Sequence, residues 1–301
     1  MNPKLVEKYI KIINNISKNN NYDNNITHLL YLIVPAFVTK YSIYKEELII
    51  NTLKNTKIIT KNDNPNPNIT AYYTSIPTYI NSHIITTKFI IIENYQNTTL
   101  IKLLDNLVHE LNHAVNSYKN EITITNNILY LRTGLTYSTY TIPTLKPLKK
   151  EQSYILEEIL NTKQTEDIIN IIKNYHDPNN QEINNTIYSI NQETNFNYQS
   201  NSYLLQTSIT KKILENKTFI STLNNLRISG NIDNINNWFD HITNKKNSYQ
   251  KLNNHLENIM ILERKLSNQK FFKSQTINKI KTNITEILEI INNFNQNCNY
   301  K

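Results

Sequence analysis

Two glycines in 301 residues, Gly134 and Gly230, are too few and too far apart for a G-x-G-x-x-G dinucleotide fingerprint, a Walker A loop or a G-x-S-x-G nucleophile elbow. The single cysteine, Cys298, excludes disulfide frameworks, cysteine zinc clusters and CxxC redox chemistry. Long apolar runs are also missing. The longest, Leu29 to Val38, is interrupted by Pro35 and falls well short of the roughly 20 residues that span a bilayer. The N-terminus is a lysine-bearing amphipathic pattern and not a signal-peptide core, so the sequence points to a cytoplasmic protein without a membrane partner. Arginine is scarce as well. Only Arg132, Arg227 and Arg264 stand among the 32 basic residues, so the net charge of +8 comes from lysine. Readers of nucleic acid favour arginine for two-point contacts, and this composition argues against them.

What is present is a folded composition, with 39% hydrophobic and 10% aromatic residues. Residues 3–17, 27–41 and 45–55 carry helical spacing, and Pro35 predicts a bend in the second of these. The run KNDNPNPN at 61–68 reads as a loop. Thr70–Ile76 and His83–Glu93 are rich in Ile, Thr, Tyr and Phe, as strands are, and Phe89–Ile92 is apolar enough for burial on both faces. Residues 98–118 return to helical spacing through Leu100, Leu103, Leu104, Leu107 and Leu111, with Thr98 or Thr99 as the cap. Strands follow at 121–125 and 128–142, turned at Asn126-Asn127 and interrupted by Gly134. A long helix is predicted over 149–174. From about residue 198 the pattern is helical. There Leu252, Leu256, Ile259 and Leu266, and Ile277 to Phe294, form two apolar stripes suited to a helical hairpin. Tyr72-Tyr73 and Trp238-Phe239 read as packing.

One segment carries chemistry. Residues 109–113 read His109-Glu110-Leu111-Asn112-His113, an H-E-x-x-H within a predicted helix. Positions i and i+4 share a helix face, so both imidazoles can reach one tetrahedral Zn²⁺ at about 2.0–2.1 Å. Glu110 stands beside that ion without binding it, where a carboxylate can take a proton from the attacking water and pass it to a leaving amine. His109 and His113 lie along the Leu/Val stripe, where bare imidazoles need partners. A third ligand must come from elsewhere. Residues 116 and 119 are Asn and Lys, which excludes a closely following third histidine. His28, His83, His176, His241 and His255 remain, as do the paired acids Glu157 and Glu158 on the helix after Pro147. Helical periodicity places the two acids on opposite borders of an apolar stripe and does not choose between them.

These residues resemble the zincin metallopeptidases of the gluzincin type. The resemblance covers about residues 83–174. It implies one zinc ion per chain held by His109, His113 and Glu158, with Glu110 as general base and Glu157 as a neighbour that does not bind the metal. It also implies that His83–Glu93 lines the cleft and pairs with an extended peptide or protein substrate. The acid that usually follows the ligand by four positions and braces a histidine is Thr162 here. Tyr137, Tyr140, Arg132 and His176 are the positional candidates for stabilising an oxyanion, and none is singled out.

The sequence thus predicts an α+β fold: a small sheet against the H-E-x-x-H helix, flanked by N-terminal helices and a mainly helical C-terminal region. The segments are 1–60, 61–176 and 177–301. The function predicted first is a zinc-dependent metallopeptidase. A non-catalytic zincin-like binding or structural protein is its rival, followed by a basic helical nucleic-acid-binding module.

Overall fold

The computed structural model describes residues 1–40, 46–62, 70–81, 83–119, 121–151, 154–193, 203–231, 234–268 and 273–298. The fold is α+β, with eleven α-helices and two small sheets among the described residues. It divides into two compact units. The first holds 1–118 and 161–198, and the second 119–160 and 199–301, so the central segment 61–176 is shared between them. Among the described residues, no helix is long and apolar enough to cross a membrane.

The first unit opens with α1 (Pro3–Asn20), α2 (Asn24–Lys40) and α3 (Glu46–Asn55). Pro3 takes the first helical position, where its missing N–H costs nothing, and the Asn2 side chain accepts from Lys4 N–H. Pro35 lies inside α2, which continues to Lys40. The predicted loop at 61–68 lies almost wholly outside the described residues. The sheet has the order β1 (Thr56–Thr60), β3 (His83–Ile92), β2 (Ala71–Ile80). β3 runs parallel to β1 and antiparallel to β2. Its central place explains the apolar run there, and Ile90, Ile91 and Ile92 are buried. β2 pairs with β3 along its whole length, but β1 pairs with it only over Lys88–Ile92, so among the described residues both the outer side of β2 and the 83–87 half of β3 have an edge that no strand pairs.

Against this sheet lies α4 (Leu100–Asn116), the helix that carries H-E-x-x-H. Its apolar face, including Leu103, Leu104, Leu107, Val108 and Leu111, is buried. The Thr99 side chain caps it by accepting from Lys102 N–H. A second cap comes from far along the chain. The Glu193 carboxylate, at the end of α6 (Gln181–Gln192), accepts from Leu100 N–H and Ile101 N–H at 3.1 Å each. A negative charge on two orphan donors complements the helix dipole. Glu193→Ala is therefore expected to cost about 1–2 kcal/mol of stability, read from urea denaturation. An unchanged midpoint would show that water replaces this cap without loss.

The second unit contains a four-stranded antiparallel meander: β4 (Ile122–Thr125), β5 (Ile128–Thr133), β6 (Thr136–Thr141) and β7 (Pro147–Glu151). Asn126 and Asn127 both have positive φ, the requirement of a tight two-residue hairpin. Across the chain, seven of the eight described non-glycine residues at positive φ are asparagine, which does the turn work left vacant by scarce glycine. Gly134 makes the next hairpin and divides the long run predicted over 128–142. β7 corrects the predicted start of the long helix. Residues 147–151 pair with β6, and α5 spans Tyr154–Lys173. Pro147 opens an edge strand, where a missing N–H is tolerated.

The helices α7 (Leu204–Leu214), α8 (Lys217–Ser229), α9 (Asn234–Thr243), α10 (Ser248–Asn268) and α11 (Lys273–Cys298) complete this unit. Leu252, Leu256 and Ile259 of α10 share an apolar core with Ile280, Ile287, Ile291 and Phe294 of α11. Phe294 stacks on Phe239, and Phe219 and Trp238 pack edge-on against Phe294, so Trp238-Phe239 is packing.

Candidate metal centre

On α4 the i, i+4 spacing brings the His109 and His113 rings edge to face, with centroids 5.1 Å apart. His113 is buried and His109 half-buried, so one imidazole is sunk in the protein and the other opens outward. The helix is anchored to α5 by amide and hydroxyl contacts. Asn161 Nδ2 donates to the His109 carbonyl at 2.8 Å, and Asn112 Nδ2 lies 3.5 Å from Thr165 Oγ1. Asn161 is fully buried. Glu158 stands three residues before Asn161 on the same continuous helix, hence on nearly the same face. One ligating atom from each of His109, His113 and Glu158 falls within 4.8 Å of the others, the one such group among the described residues. Around a tetrahedral zinc at 2.0–2.1 Å, ligand atoms stand about 3.4 Å apart. Two imidazoles and a carboxylate are a donor set suited to zinc.

Glu157 goes elsewhere. Its carboxylate is 1% exposed and accepts from Arg227 Nε at 2.9 Å, Arg227 Nη2 at 2.5 Å and Leu135 N–H at 2.9 Å. Adjacent helix positions point about 100° apart, so a Glu157 turned into this pairing leaves Glu158 on the side of the histidines.

Glu110 is 7% exposed, and its Oε2 accepts from Tyr73 N–H on β2 at 2.7 Å. The edge strand of the sheet thus fixes the rotamer of the acid that follows the first histidine. None of the other histidines joins the group. His28 pairs with Glu182 at 3.1 Å, His255 bonds Asn283, and His83 bonds the carbonyl of Asn81 beside it. Of the positional candidates for an oxyanion donor, Arg132 is fully buried and donates to the carbonyls of Gly134, Arg227 and Lys119. It is tied to the backbone and not presented to a ligand.

No protein-family model matches the chain, and no curated protein or solved structure matches it. The functional reading therefore rests on this geometry and on the motif.

Two acids missed in the sequence lie close by: Asp105 near His109, and Glu166 near Asp105. Asp105 is one turn before His109 on α4, and burial pushes its carboxyl up to about 7. The His109 charge opposes that rise, while Glu110 and Glu166 add to it. Glu166, on α5, is also raised, chiefly by burial. Spacing alone could have found Asp105, since it is i−4 to a proposed ligand. It offers a carboxylate near His109 from the N-terminal side, whereas Thr162 supplies none on α5. In the metal-free protein, an acid with a folded pKa near 7 lowers stability as pH rises from its unfolded value near 4 to about 7. Asp105→Asn should therefore stabilise the metal-free chain by up to about 4 kcal/mol above pH 7 and by almost nothing near pH 4. Denaturation midpoints measured at both pH values check this. An equal gain at both would mean that the Asp105 charge is not the cause.

Proposed function

We propose that this chain is a zinc-dependent metallopeptidase in which His109, His113 and Glu158 hold one zinc ion and Glu110 is the general base. The observation that carries the reading is the convergence of those three ligating atoms within 4.8 Å, next to a buried acid of the H-E-x-x-H motif. When bound, zinc supplies Lewis acidity toward the scissile carbonyl and makes a water molecule easier to deprotonate. The residues do the rest. Glu110, held by Tyr73 N–H, receives the proton of the attacking water and delivers it to the departing amine nitrogen. The substrate class is a peptide or protein segment. The edge strand β2 reaches Glu110 through its own backbone, so an extended chain laid along that edge passes the base. Arg132 and Arg227 are fully buried, leaving exposed Arg264 as the one arginine outside the core, which favours a peptide over a nucleic acid. The single cysteine suits a reducing compartment, and the proposal places the enzyme in the cytoplasm.

Metal analysis tests the reading. The purified chain should carry about one zinc, His109→Ala and Glu158→Gln should each lose most of it, and the wild type should cleave peptides. Equal zinc in all three proteins would overturn the site. One zinc without turnover on a broad peptide library would favour the binding or structural role.

A further inference from the structure

Glu157 and Arg227 form a charge pair in which both side chains are at most 1% exposed. Such a pair gives up two hydration shells, and against an apolar core of the same volume it yields little net stability. Its distinctive property is direction. The Arg227 fork donates to both oxygens of Glu157, at 2.9 Å from Nε and 2.5 Å from Nη2, which fixes the plane of the carboxylate as well as its position. Leu135 N–H adds a third bond at 2.9 Å.

The surroundings are shaped to this carboxylate. Gly134, at φ +56°, brings the β5–β6 turn so close that a Cβ there would stand 2.1 Å from Glu157 Oε1. Arg132 Nη1 donates to the Gly134 carbonyl at 2.7 Å and to the Arg227 carbonyl at 2.9 Å, joining the turn to α8. Two elements distant in sequence, the β5–β6 turn and α8, therefore meet on one acid in the first turn of α5. A helix advances about 100° per residue, so fixing the direction of Glu157 fixes that of Glu158.

We infer that Arg227 is a positioning residue for the metal centre: by clasping Glu157 against Gly134 and Leu135, it sets the rotation of α5 that aims Glu158 at the ion. The inference rests on Glu158 being a ligand. Metal sites require their ligands to be held to within about half an ångström, and that precision comes from the groups behind them.

The test compares zinc affinity, measured by chelator competition on protein shown to be folded by circular dichroism. Arg227→Lys keeps the charge and loses the fork. Gly134→Ala drives a methyl group into the Glu157 carboxylate without altering either charged residue. Leu252→Ala opens the apolar core of the same unit far from the clasp. Arg227→Lys and Gly134→Ala should each weaken zinc binding about 10–100-fold and alter the visible spectrum of the Co²⁺-substituted protein. Leu252→Ala should lower the melting temperature and leave both readouts at the wild-type value. Should Arg227→Lys not fold, Gly134→Ala decides alone. Wild-type affinity and spectrum in the clasp variants, or a loss in Leu252→Ala as large as theirs, would overturn the inference. Wild-type protein that binds zinc no better than His109→Ala would overturn the ligand assignment itself, a different and separately visible failure.

Discussion

Glu110→Gln should keep its zinc and its fold and lose nearly all peptidase activity. The substitution changes one atom and removes one charge. The glutamine carbonyl can still accept from Tyr73 N–H, which now meets Glu110 Oε2 at 2.7 Å, so the link between β2 and α4 survives. The proposed metal ligands are untouched, because Glu110 belongs to the motif without being one of the three convergent groups. What disappears is the basic oxygen. An amide cannot take a proton from the attacking water, nor return one to the leaving amine. General-base loss costs about 10²–10⁴ in rate, with the upper end applying where one group serves both transfers. Turnover per bound zinc, measured on a peptide that the wild type cleaves, reads the effect directly. An active Glu110→Gln protein would remove Glu110 from the mechanism while leaving the metal centre in place.

The parts of this site that were legible in the sequence are local. The α4 helix announces itself through leucine spacing and Thr99, and the motif places two imidazoles on one of its faces. The β4–β5 hairpin is written in Asn126-Asn127. What was not legible depends on pairing across the chain. β1 is the five-residue run TKIIT, whose identity as a strand comes from lying parallel to β3 some 30 residues later. That neighbour makes the Lys88–Ile92 half of β3 central in the sheet and leaves β2 with an outer side that no described strand pairs. β7, with the sequence PLKKE, has no apolar alternation and is a strand because β6 supplies a ladder. α6 was missed for a different reason. Ile183, Ile187 and Ile190 do lie at 4-3 spacing, but they are three apolar positions in an Asn- and Gln-rich stretch. Glu193 beyond it caps α4 from 93 residues away, and no local pattern signals that.

The choice between Glu157 and Glu158 shows the same limit. Periodicity left it open, and a resemblance favoured Glu158. The physical reason that Glu157 is otherwise engaged sits 70 residues downstream in Arg227.

Glu157→Gln should accordingly be the most destabilising of these substitutions to the fold, by about 3–5 kcal/mol. The cost does not equal the strength of the lost attraction. Arg227 is fully buried, and once its partner is neutral the guanidinium keeps its charge with no carboxylate to balance it. Arg132 stands close by, and burial already pulls it down to about 10, with Glu157 among the charges that oppose the fall, so removing that carboxylate leaves both arginines less favourably placed. Glu158→Gln, a half-buried group one position along, should cost the metal-free fold far less. A double substitution separates an uncompensated charge from a general loss of packing. Glu157→Gln/Arg227→Met removes the stranded cation, fills its volume with an apolar chain and retains an acceptor for Leu135 N–H. It should recover most of the lost stability in urea denaturation of the metal-free protein. A double variant as unstable as Glu157→Gln alone would show that the pair works through packing and hydrogen bonds and that its charge is incidental.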